Sequence, residues 1–391
     1  MRLADYTTVR LGGPARAFVR AGTEDELIDA VRSADAAGEP LLILGGGSNL
    51  VVSDEGFDGT VVQVATRGVS RDGGPGALTV AAGEPVLILG GGSNLVVSDE
   101  GFDGTVIQVA TRGVSRDGGP GVLTVAAGED WDAVVARSVA EGLAGLECLS
   151  GIPGLTGATP IQNVGAYGQE VAETITAVRV YDRVTGDVHQ IPNERCDFGY
   201  RTSRFRGAGR FVVLSVTFRL AVQVLSAPVR YAELAATLGV PVGGQVESAE
   251  ARAAVIELRQ RKGMVIDPSD PDTRSVGSFF VNPVLDAPAL AAVEAAARAR
   301  SGPQARVPHF EAGDGLAKVP AAWLIEQAGF GKGYNPGDGA RISAKHTLAL
   351  VNAGTASTAA LLALAREIRD GVRDAFGVSL APEPVLVGVT L

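Results

Sequence analysis

A segment of 45 residues occurs twice in tandem, at 40–84 and again at 85–129. The copies differ at only three positions, where Leu41 corresponds to Val86, Val62 to Ile107 and Ala77 to Val122. Two copies are too few for a solenoid, in which each repeat buries its apolar face on the next. The repeat constrains the fold in another way, because any strand position that one copy can fill can also be filled by the other.

The two ends of the repeat region predict how the chain uses it. The first copy begins with an apolar run directly after an amphipathic helix at 24–37, and the second copy ends directly before a helix that begins near Trp131. We therefore expect one composite repeat in the fold, with the first copy supplying residues 45–49 and the second the approach to Trp131. The surplus 45 residues would form a separate lobe, and deletion of 85–129 should preserve the fold and raise thermal stability.

Apolar periodicity divides the chain near residue 223. Before it, strands predominate, and they are predicted at 15–21, 174–182, 187–191 and 211–219. After it, Ala-rich helices alternate with short strands, and the helices are predicted at 247–261, 286–299, 320–328 and 356–376. This change of pattern predicts a separate α/β domain in the second half. The last segment, 384–391, is predicted to be a strand.

Charge and cysteine content exclude several classes of protein. With 34 Lys+Arg against 44 Asp+Glu, the formal charge is −10, which disfavours a nucleic-acid or anionic membrane surface as the main partner. Two cysteines are too few for a disulfide framework and favour the reducing cytoplasm. The start of the chain has no apolar signal core and no window approaches a membrane span, so we expect a soluble protein.

Familiar nucleotide, metal and hydrolase motifs are missing from the sequence. After GGGSN the chain continues as extended SNLVVSD and does not open a helix, so the dinucleotide fingerprint is not met. Glu326 stands where a phosphate-binding GxxxxGK loop needs its first glycine. His189, His309 and His346 are too scattered for a metal site, and no metal is expected. The GxSxG pattern of serine hydrolases is also lacking.

Two kinds of glycine-rich segment are candidate binding loops. GGGSN, at 45–49 and 90–94, offers unobstructed backbone N–H groups that suit a pyrophosphate, although a plain tight turn explains it equally. The segment 150–168 contains five glycines and two prolines and is long for a connector. Long structured loops commonly bind ligands, and a loop packed only on itself is the alternative.

Three polar residues are candidate site residues. Arg201, with Arg204 and Arg206 nearby, can form a guanidinium fork for a carboxylate or phosphate, or a solvated basic edge. Ser278 places a hydroxyl between a glycine and two phenylalanines, where turn capping is the alternative. Glu383 in LAPEPV is, taken alone, typical of an exposed turn.

Seven motifs in this order along the chain resemble the UDP-N-acetylenolpyruvoylglucosamine reductase family: LGGGSNLVVSDEGFDGTV, AAGEDW, GLECLSGIPGLTGATPIQNVGAYGQEV, CDFGYRTSRF, SVGSFFVNP, SAKHTLALVN and LAPEPV. The match covers essentially the whole chain, and the ordered set is specific although each motif alone is not. The resemblance implies an α+β fold. It consists of a two-part FAD-binding module of the vanillyl-alcohol oxidase (PCMH) type over 1–222, an α/β substrate-binding domain over 223–376, and a C-terminal strand, 377–391, that returns to the FAD module.

The resemblance also implies the cofactor and the reaction. FAD would be held non-covalently and reduced by NADPH. It would then reduce UDP-N-acetylglucosamine enolpyruvate to UDP-N-acetylmuramate for peptidoglycan synthesis. The residues that match the family's FAD-binding segments are Gly45, Gly46, Gly47, Ser48, Asn49, Gly90, Gly91, Gly92, Ser93, Asn94, Ile152, Pro153, Gly154, Gly157, Ala158, Gln162, Asn163 and Gly165.

The same resemblance implies roles in catalysis. Hydride addition to C3 of the enolpyruvyl group builds negative charge at C2 and its carboxylate, so the site needs charge-stabilising groups and a proton source. Arg201 and Glu383 match the family's stabilising pair, and Ser278 matches the proton donor to C2. The positions that match substrate contacts are Tyr200, Tyr231, Lys262, Asn282 and His346.

The duplication keeps a second interpretation open, in which a flavin-poor, inactive protein still binds the UDP-sugar through its second domain. An FAD-dependent oxidase of the wider fold superfamily is disfavoured by GSFFVNP and LAPEPV. A visible flavin spectrum separates the first two interpretations. We expect a cytoplasmic monomer whose partners are NADPH and the UDP-sugar substrate, with no nucleic-acid or membrane partner.

Overall fold

The computed structural model describes residues 14–19, 24–37, 41–44, 57–63, 86–89, 95–100, 105–109, 111–207, 209–387 and 389–391. Both GGGSN segments lie outside these described residues, so the predicted FAD-binding positions Gly45 to Asn49 and Gly90 to Asn94 are not among them.

The described chain contains seven α-helices, which are α1 Glu24–Ala37, α2 Trp131–Ala140, α3 Ala232–Leu238, α4 Ser248–Arg261, α5 Ala287–Ser301, α6 Ala321–Gln327 and α7 Thr358–Phe376. Its first eleven strands are β1 Ala15–Val19, β2 Leu41–Leu44, β3 Phe57–Gln63, β4 Val86–Leu89, β5 Leu95–Val97, β6 Thr105–Gln108, β7 Val114–Ser115, β8 Val122–Ala126, β9 Leu143–Ala144, β10 Gly165–Ala166 and β11 Gln169–Glu170. The remaining strands are β12 Ile175–Asp182, β13 Asp187–Pro192, β14 Phe211–Arg219, β15 Ala221–Val222, β16 Ser275–Ser278, β17 Val284–Leu285, β18 Phe310–Glu311, β19 Ala317–Lys318, β20 Ala340–Ile342, β21 Ala349–Asn352 and β22 Val385–Val387.

A parallel sheet near the N-terminus contains strands from both copies of the repeat. Its order is β1-β3-β2-β6-β4, with β2 and β3 from the first copy and β4 and β6 from the second. The expectation of a surplus lobe is therefore wrong for these strands. The physical reason is that an apolar strand satisfies its backbone N–H and C=O groups by joining a ladder, and both copies have the same apolar runs to contribute.

A second, antiparallel sheet has the order β13-β12-β14-β8-β7, and its strands β7 and β8 belong to the second copy of the repeat. Helix α2 covers one of its faces, where Trp131 is 1% exposed and its ring lies 5.9 Å from that of Phe218. An ion pair of 2.9 Å between Arg183 and Asp35 connects this sheet to α1. The two sheets form the two parts of the N-terminal module.

The C-terminal half has its own core beneath small antiparallel sheets, β16-β21-β20 and β17-β19-β18. Helix α7 confirms the predicted apolar stripe, since the five residues are all buried: Leu361, Leu364, Ile368, Val372 and Phe376. Helix α3 was not predicted. It packs with α4 around Cys148, and Arg252 of α4 forms a two-pronged ion pair with Asp132 of α2, at 2.6 and 2.8 Å.

Candidate active site

A pocket between the two halves of the chain brings together seven of the residues singled out from the sequence. The N-terminal half contributes residues from the 150–168 loop and Arg201, and the C-terminal half contributes a strand end and the segment before β22. The seven are Ile152, Pro153, Gln162, Gly165, Arg201, Ser278 and Glu383.

Arg201 is fixed at the edge of this pocket by its backbone and by three side-chain contacts. Its φ of 55° lies in the left-handed region, which is strained for a side-chain-bearing residue. The guanidinium donates to the carbonyl of Gly165 at 2.7 Å and to that of Asn163 at 3.4 Å, and Nε lies 3.5 Å from Oε1 of Glu383. These contacts, with a further approach of 3.9 Å to Glu170, restrict the movement of the cation in the pocket lining.

Backbone pairing joins the segments that carry Ser278 and Glu383, and both side chains line the pocket. Ser278 ends β16 after an irregularity in which Gly277 adopts φ +71°. The next residue, Phe279, is fully buried and accepts a 2.8 Å hydrogen bond from the backbone N–H of Glu383. The hydroxyl and the carboxyl therefore come from two segments that the main chain aligns.

Burial changes the character of Glu383. Desolvation raises the pKa of its carboxyl, while Arg201 and Arg206 oppose this rise. Arg206 also donates to the backbone carbonyl of Glu383 at 2.9 Å, so it anchors the segment before β22 on the N-terminal module. The raised pKa favours a neutral carboxyl that can donate a hydrogen bond.

The 150–168 loop is packed against the start of α2. Thr156 and Gly157 donate backbone hydrogen bonds of 2.9 and 2.8 Å to Glu129 and Ala127. A Cβ on Gly157 would lie 2.5 Å from that of Ala127, so only glycine fits there without movement. Three predicted FAD-binding residues do not line the pocket and lie in the part of the loop that packs on the chain before α2: Gly154, Gly157 and Ala158.

The side chain of Asn163 hydrogen-bonds to residues outside the 150–168 loop. Its amide donates to Glu170 at 2.7 Å and to the carbonyl of Gly199 at 3.0 Å, and it accepts from the N–H of Ala172 at 3.2 Å. At 1% exposure it joins the loop to the segment that carries Arg201. Its geometry is that of a positioning residue.

Arg259 was missed from the sequence and lines the same pocket. It is 7% exposed and donates from Nη2 to the carbonyl of Met264 at 3.0 Å, while Nε has no hydrogen-bond partner among the described residues. Burial lowers its pKa to about 10, so it remains a cation at neutral pH. The signal that could have identified it is the basic run RQRK at the end of the predicted helix 247–261.

Two predicted substrate contacts, Tyr231 and Lys262, lie beside Tyr167, and a third, His346, is near enough to Lys262 and Arg259 to be affected by their charges. The ring of Tyr231 meets that of Tyr167 edge-on at 5.6 Å, and Nζ of Lys262 lies 5.7 Å from the centre of the same ring. His346 is half-buried, and desolvation together with Lys262, Lys332 and Arg259 lowers its pKa to about 4. Lys262 also forms an ion pair of 2.6 Å with Glu233, so the group combines paired charges with a neutral imidazole.

Tyr200 and Asn282 lie on a different cavity, which is apolar in most of its lining. They hydrogen-bond to each other, and Oδ1 of Asn282 accepts from the N–H of Ala321, where it caps α6 at 2.9 Å. The Tyr200 ring lies between Cζ of Arg201 at 5.1 Å and Nζ of Lys318 at 4.6 Å. Tyr200 is therefore connected to the pocket through Arg201 and through the charge of Glu383.

Two features are absent from the described residues, a metal-binding cluster and a membrane-spanning helix. No group of three or more His, Cys, Asp or Glu side chains in these ranges could hold a metal ion. Within the part of the chain that the structure covers, no helix combines the length and apolar character that crossing a membrane requires.

Comparisons with known proteins identify the family. The model of the UDP-N-acetylenolpyruvoylglucosamine reductase C-terminal domain matches residues 268–387, and that of an FAD binding domain matches 15–86 and 76–191. These matches agree with the expected fold class and cofactor.

Relatives and a solved structure agree with these domains. UDP-N-acetylenolpyruvoylglucosamine reductases of Saccharopolyspora erythraea and Thermobifida fusca are 54% and 50% identical, over 100% of this chain and 95% and 97% of theirs. The crystal structure of the reductase MurB from Thermus caldophilus matches with a TM-score of 0.56 at 23% identity, over 99% of this chain and 97% of that one. The chain therefore belongs to the UDP-N-acetylenolpyruvoylglucosamine reductase family.

Proposed function

We propose that this protein catalyses the NADPH-dependent reduction of UDP-N-acetylglucosamine enolpyruvate to UDP-N-acetylmuramate in peptidoglycan precursor synthesis, with FAD as its cofactor. The observation that carries the proposal is the single pocket lined by Ser278, Arg201 and Glu383, three residues from separate family motifs. The chain is 54% and 50% identical over its full length to two UDP-N-acetylenolpyruvoylglucosamine reductases, and this similarity supports the same activity.

The residues around the pocket fit a flavin. Ile152 and Val164 provide apolar lining for a planar ring, and the buried Nε of Arg259 is a donor without a partner among the described residues, suited to an electron-rich ring edge. When bound, FAD supplies the hydride that NADPH delivers to the enzyme. The positions proposed to hold it directly are Ile152, Pro153, Gln162 and Gly165, with Gly154, Gly157, Ala158 and Asn163 in support and the GGGSN segments 45–49 and 90–94 at the pyrophosphate.

Arg201 and Glu383 would stabilise the charge that develops on the substrate. Hydride addition at C3 leaves electron density on C2 and its carboxylate. A fixed guanidinium attracts that density, and a neutral Glu383 carboxyl can donate a hydrogen bond to it. Because both groups are already oriented by the protein, little reorganisation is needed as the charge builds.

Ser278 would deliver the proton that completes the reaction at C2. A serine hydroxyl is a weak acid, so it can act only on a strongly basic carbon and from close range. The residues directly after β16 pair with the segment before β22, and the side chains of Ser278 and Glu383 line the same pocket, which supports this role. The remaining substrate contacts are proposed at Tyr231, Lys262 and His346, with Tyr200 and Asn282 acting through Arg201.

The experiment that tests this function combines a visible spectrum with an activity assay. The purified protein should carry the flavin absorption, and NADPH should be consumed only when the enolpyruvyl sugar nucleotide is added. A colourless protein that binds the sugar nucleotide without consuming NADPH would instead support the flavin-poor alternative.

The flavin is proposed to be held non-covalently. His and Cys, which form covalent flavin links, do not occur in residues 1–147. Cys148 is buried, and desolvation raises its pKa to about 12, so its reactive thiolate is suppressed. Acid precipitation should release all of the yellow colour into the supernatant; colour retained in the pellet would contradict the proposal.

We also propose that the enzyme works as a monomer in the cytoplasm. Its two cysteines are both free thiols, and a nucleotide-linked substrate and NADPH are consistent with a reducing compartment. Light scattering on the holoenzyme and fractionation of cells test the two points separately.

A further inference from the structure

We propose that the second copy of the repeat, and not the first, contacts the C-terminal domain and fixes its position on the N-terminal module. We also propose that Asp99 of this copy is a positioning residue for the active site. Each contact behind this inference comes from residues 95–99, directly after the second GGGSN. The inference relies on the proposed function only for its activity measurement.

The first observation is a two-stranded parallel ladder between β5 and β22. Leu95 pairs with Val385, Val96 with Leu386 and Val97 with Val387. Successive side chains of a strand point to opposite faces. On one face, Leu95 is buried in the core of the N-terminal module and Val385 packs against that core.

On the other face of the ladder, the side chains enter a different core. Val96 is 0% exposed within the core of the C-terminal half, and Leu386 packs against the same cluster. The short ladder is therefore shared by both halves of the molecule. Sliding one half over the other would pull apolar side chains out of two cores at once.

The second observation is the contact of Asp99 with α7. Its Oδ1 accepts from the N–H of Thr358 at 2.5 Å, and Oδ2 accepts from the N–H of Ala359. These are two of the N–H groups that the first turn of a helix leaves without intrahelical partners, at the positive end of the helix dipole. The helix's own Ser357 satisfies a third, on Ala360, at 3.1 Å. A carboxylate from the repeat therefore completes the cap of a helix in the other domain.

The link to catalysis is the short distance along the chain from β22 to Glu383. Only Pro384 separates Glu383 from the first residue of β22, while Arg201 belongs to the N-terminal module. The ladder and the Asp99 contacts therefore fix how the domain that carries Glu383 sits on the module that carries Arg201. The 3.5 Å approach of Arg201 Nε to Glu383 Oε1 depends on that placement.

The described strands of the first copy have other partners. β2 pairs with β3 and β6, and β3 pairs with β1, β2 and β6, all within the N-terminal sheet. The first copy's counterpart of Asp99 is Asp54, which has the same neighbours from 42 to 61 as Asp99 has from 87 to 106. The chain thus provides its own matched control.

The test compares Asp99→Asn with Asp54→Asn in the full-length holoenzyme. We expect Asp99→Asn to speed amide hydrogen exchange at residues 385–387 and 358–360 about tenfold, because the cap loses its charge-assisted bonds. It should lower kcat about tenfold, with KM nearly unchanged, because Glu383 is less well placed against Arg201. Asp54→Asn should leave exchange, kcat and KM as in the parent.

A second pair, Val96→Ala and Val51→Ala, repeats the comparison by removing packing in place of charge. Val96→Ala should also speed exchange at 385–387, and Val51→Ala should not. The inference would be overturned if the two members of either pair had equal effects. It would also be overturned if exchange were unchanged in both Asp99→Asn and Val96→Ala. Hydrogen exchange is measured without substrate. An inactive parent protein would therefore refute the proposed function without affecting the exchange comparison.

Discussion

Glu383 and Arg259 illustrate at the scale of single residues how burial sets the charge of the pocket. Desolvation raises the pKa of Glu383 and lowers that of Arg259 to about 10. The Glu383 carboxyl is therefore protonated more easily than an exposed glutamate, while the Arg259 guanidinium stays protonated at neutral pH. Together with Arg201, the pocket is left with an excess of positive charge, which suits an anionic enolpyruvyl substrate.

Replacement of Ser278 by alanine should separate the two halves of the catalytic cycle. Flavin reduction by NADPH should remain nearly intact in Ser278→Ala, because the serine acts only when C2 is protonated. Reduction of the enolpyruvyl substrate should slow by about three orders of magnitude, the range typical of a lost general acid. Rapid-mixing measurement of each half-reaction checks this.

The control for this prediction is Ser301→Ala, which removes a hydroxyl at the exposed end of α5 and should change neither half-reaction. Equal slowing of both half-reactions in Ser278→Ala would mean that the serine supports the structure of the pocket and does not donate the proton.

The lowered pKa of His346 predicts that the protein loses stability in acid. Its folded-state pKa of about 4 is below the ordinary value of 6.5, so the unfolded chain binds its proton first as the pH falls. The stabilisation is complete above about pH 6.5 and disappears progressively between 6.5 and 4. His346→Gln should remove this dependence and retain about 2 kcal/mol more of its neutral-pH stability at pH 4.5 than the parent does.

Denaturant unfolding at pH 7 and pH 4.5 measures this difference. His309→Gln, at an exposed position, should lose as much stability as the parent over the same interval. If His346→Gln also loses as much as the parent, the imidazole is not held neutral by its surroundings.

At the scale of elements, the position of the 150–168 loop depends on its close approach to the strand end at Ala127. Gly157→Ala would force a Cβ to within 2.5 Å of the Ala127 side chain, so the loop or β8 must shift. We expect a loss of stability of about 1–3 kcal/mol, typical of overpacking, together with a lower flavin content. Thermal unfolding and the ratio of flavin to protein absorbance provide the two measurements.

Gly331→Ala is the matched control, because a Cβ at that glycine meets no atom within 4 Å among the described residues. It should keep both the stability and the flavin content of the parent. Normal flavin content in Gly157→Ala would indicate that the loop holds the cofactor without this contact.

At the scale of the whole molecule, the repeat predicts that two different deletions give equivalent proteins. Chains lacking 40–84 or 85–129 differ from each other at only three positions and keep every motif once. Each should bind flavin, because one complete repeat supplies a strand for the N-terminal sheet as well as the ladder with β22. The two should melt within about 2 °C of each other, since conservative changes of this kind cost little.

Flavin absorbance and thermal melting of both deletion proteins test this. Loss of folding in both would mean that the strands of both copies are required in the sheet β1-β3-β2-β6-β4. A large difference in melting temperature between the two deletion proteins would mean that the three differing side chains affect stability strongly.

The sequence by itself determined the elements whose pattern is local and the family whose motifs are ordered. The strands 175–182 and 211–219 and the stripe of α7 follow from side-chain periodicity, which depends on near neighbours in the chain. Ser278, Arg201 and Glu383 were found by resemblance, and their assembly into one pocket required the fold.

Only the tertiary structure decided how the two copies are used. Identical segments have identical local preferences, so nothing in residues 50–54 or 95–99 distinguishes them before they meet the rest of the chain. In the folded chain, β22 and α7 contact residues 95–99 of the second copy. The pKa shifts of Glu383, Arg259 and His346 likewise result mainly from burial, which is a property of the folded molecule and not of the motif.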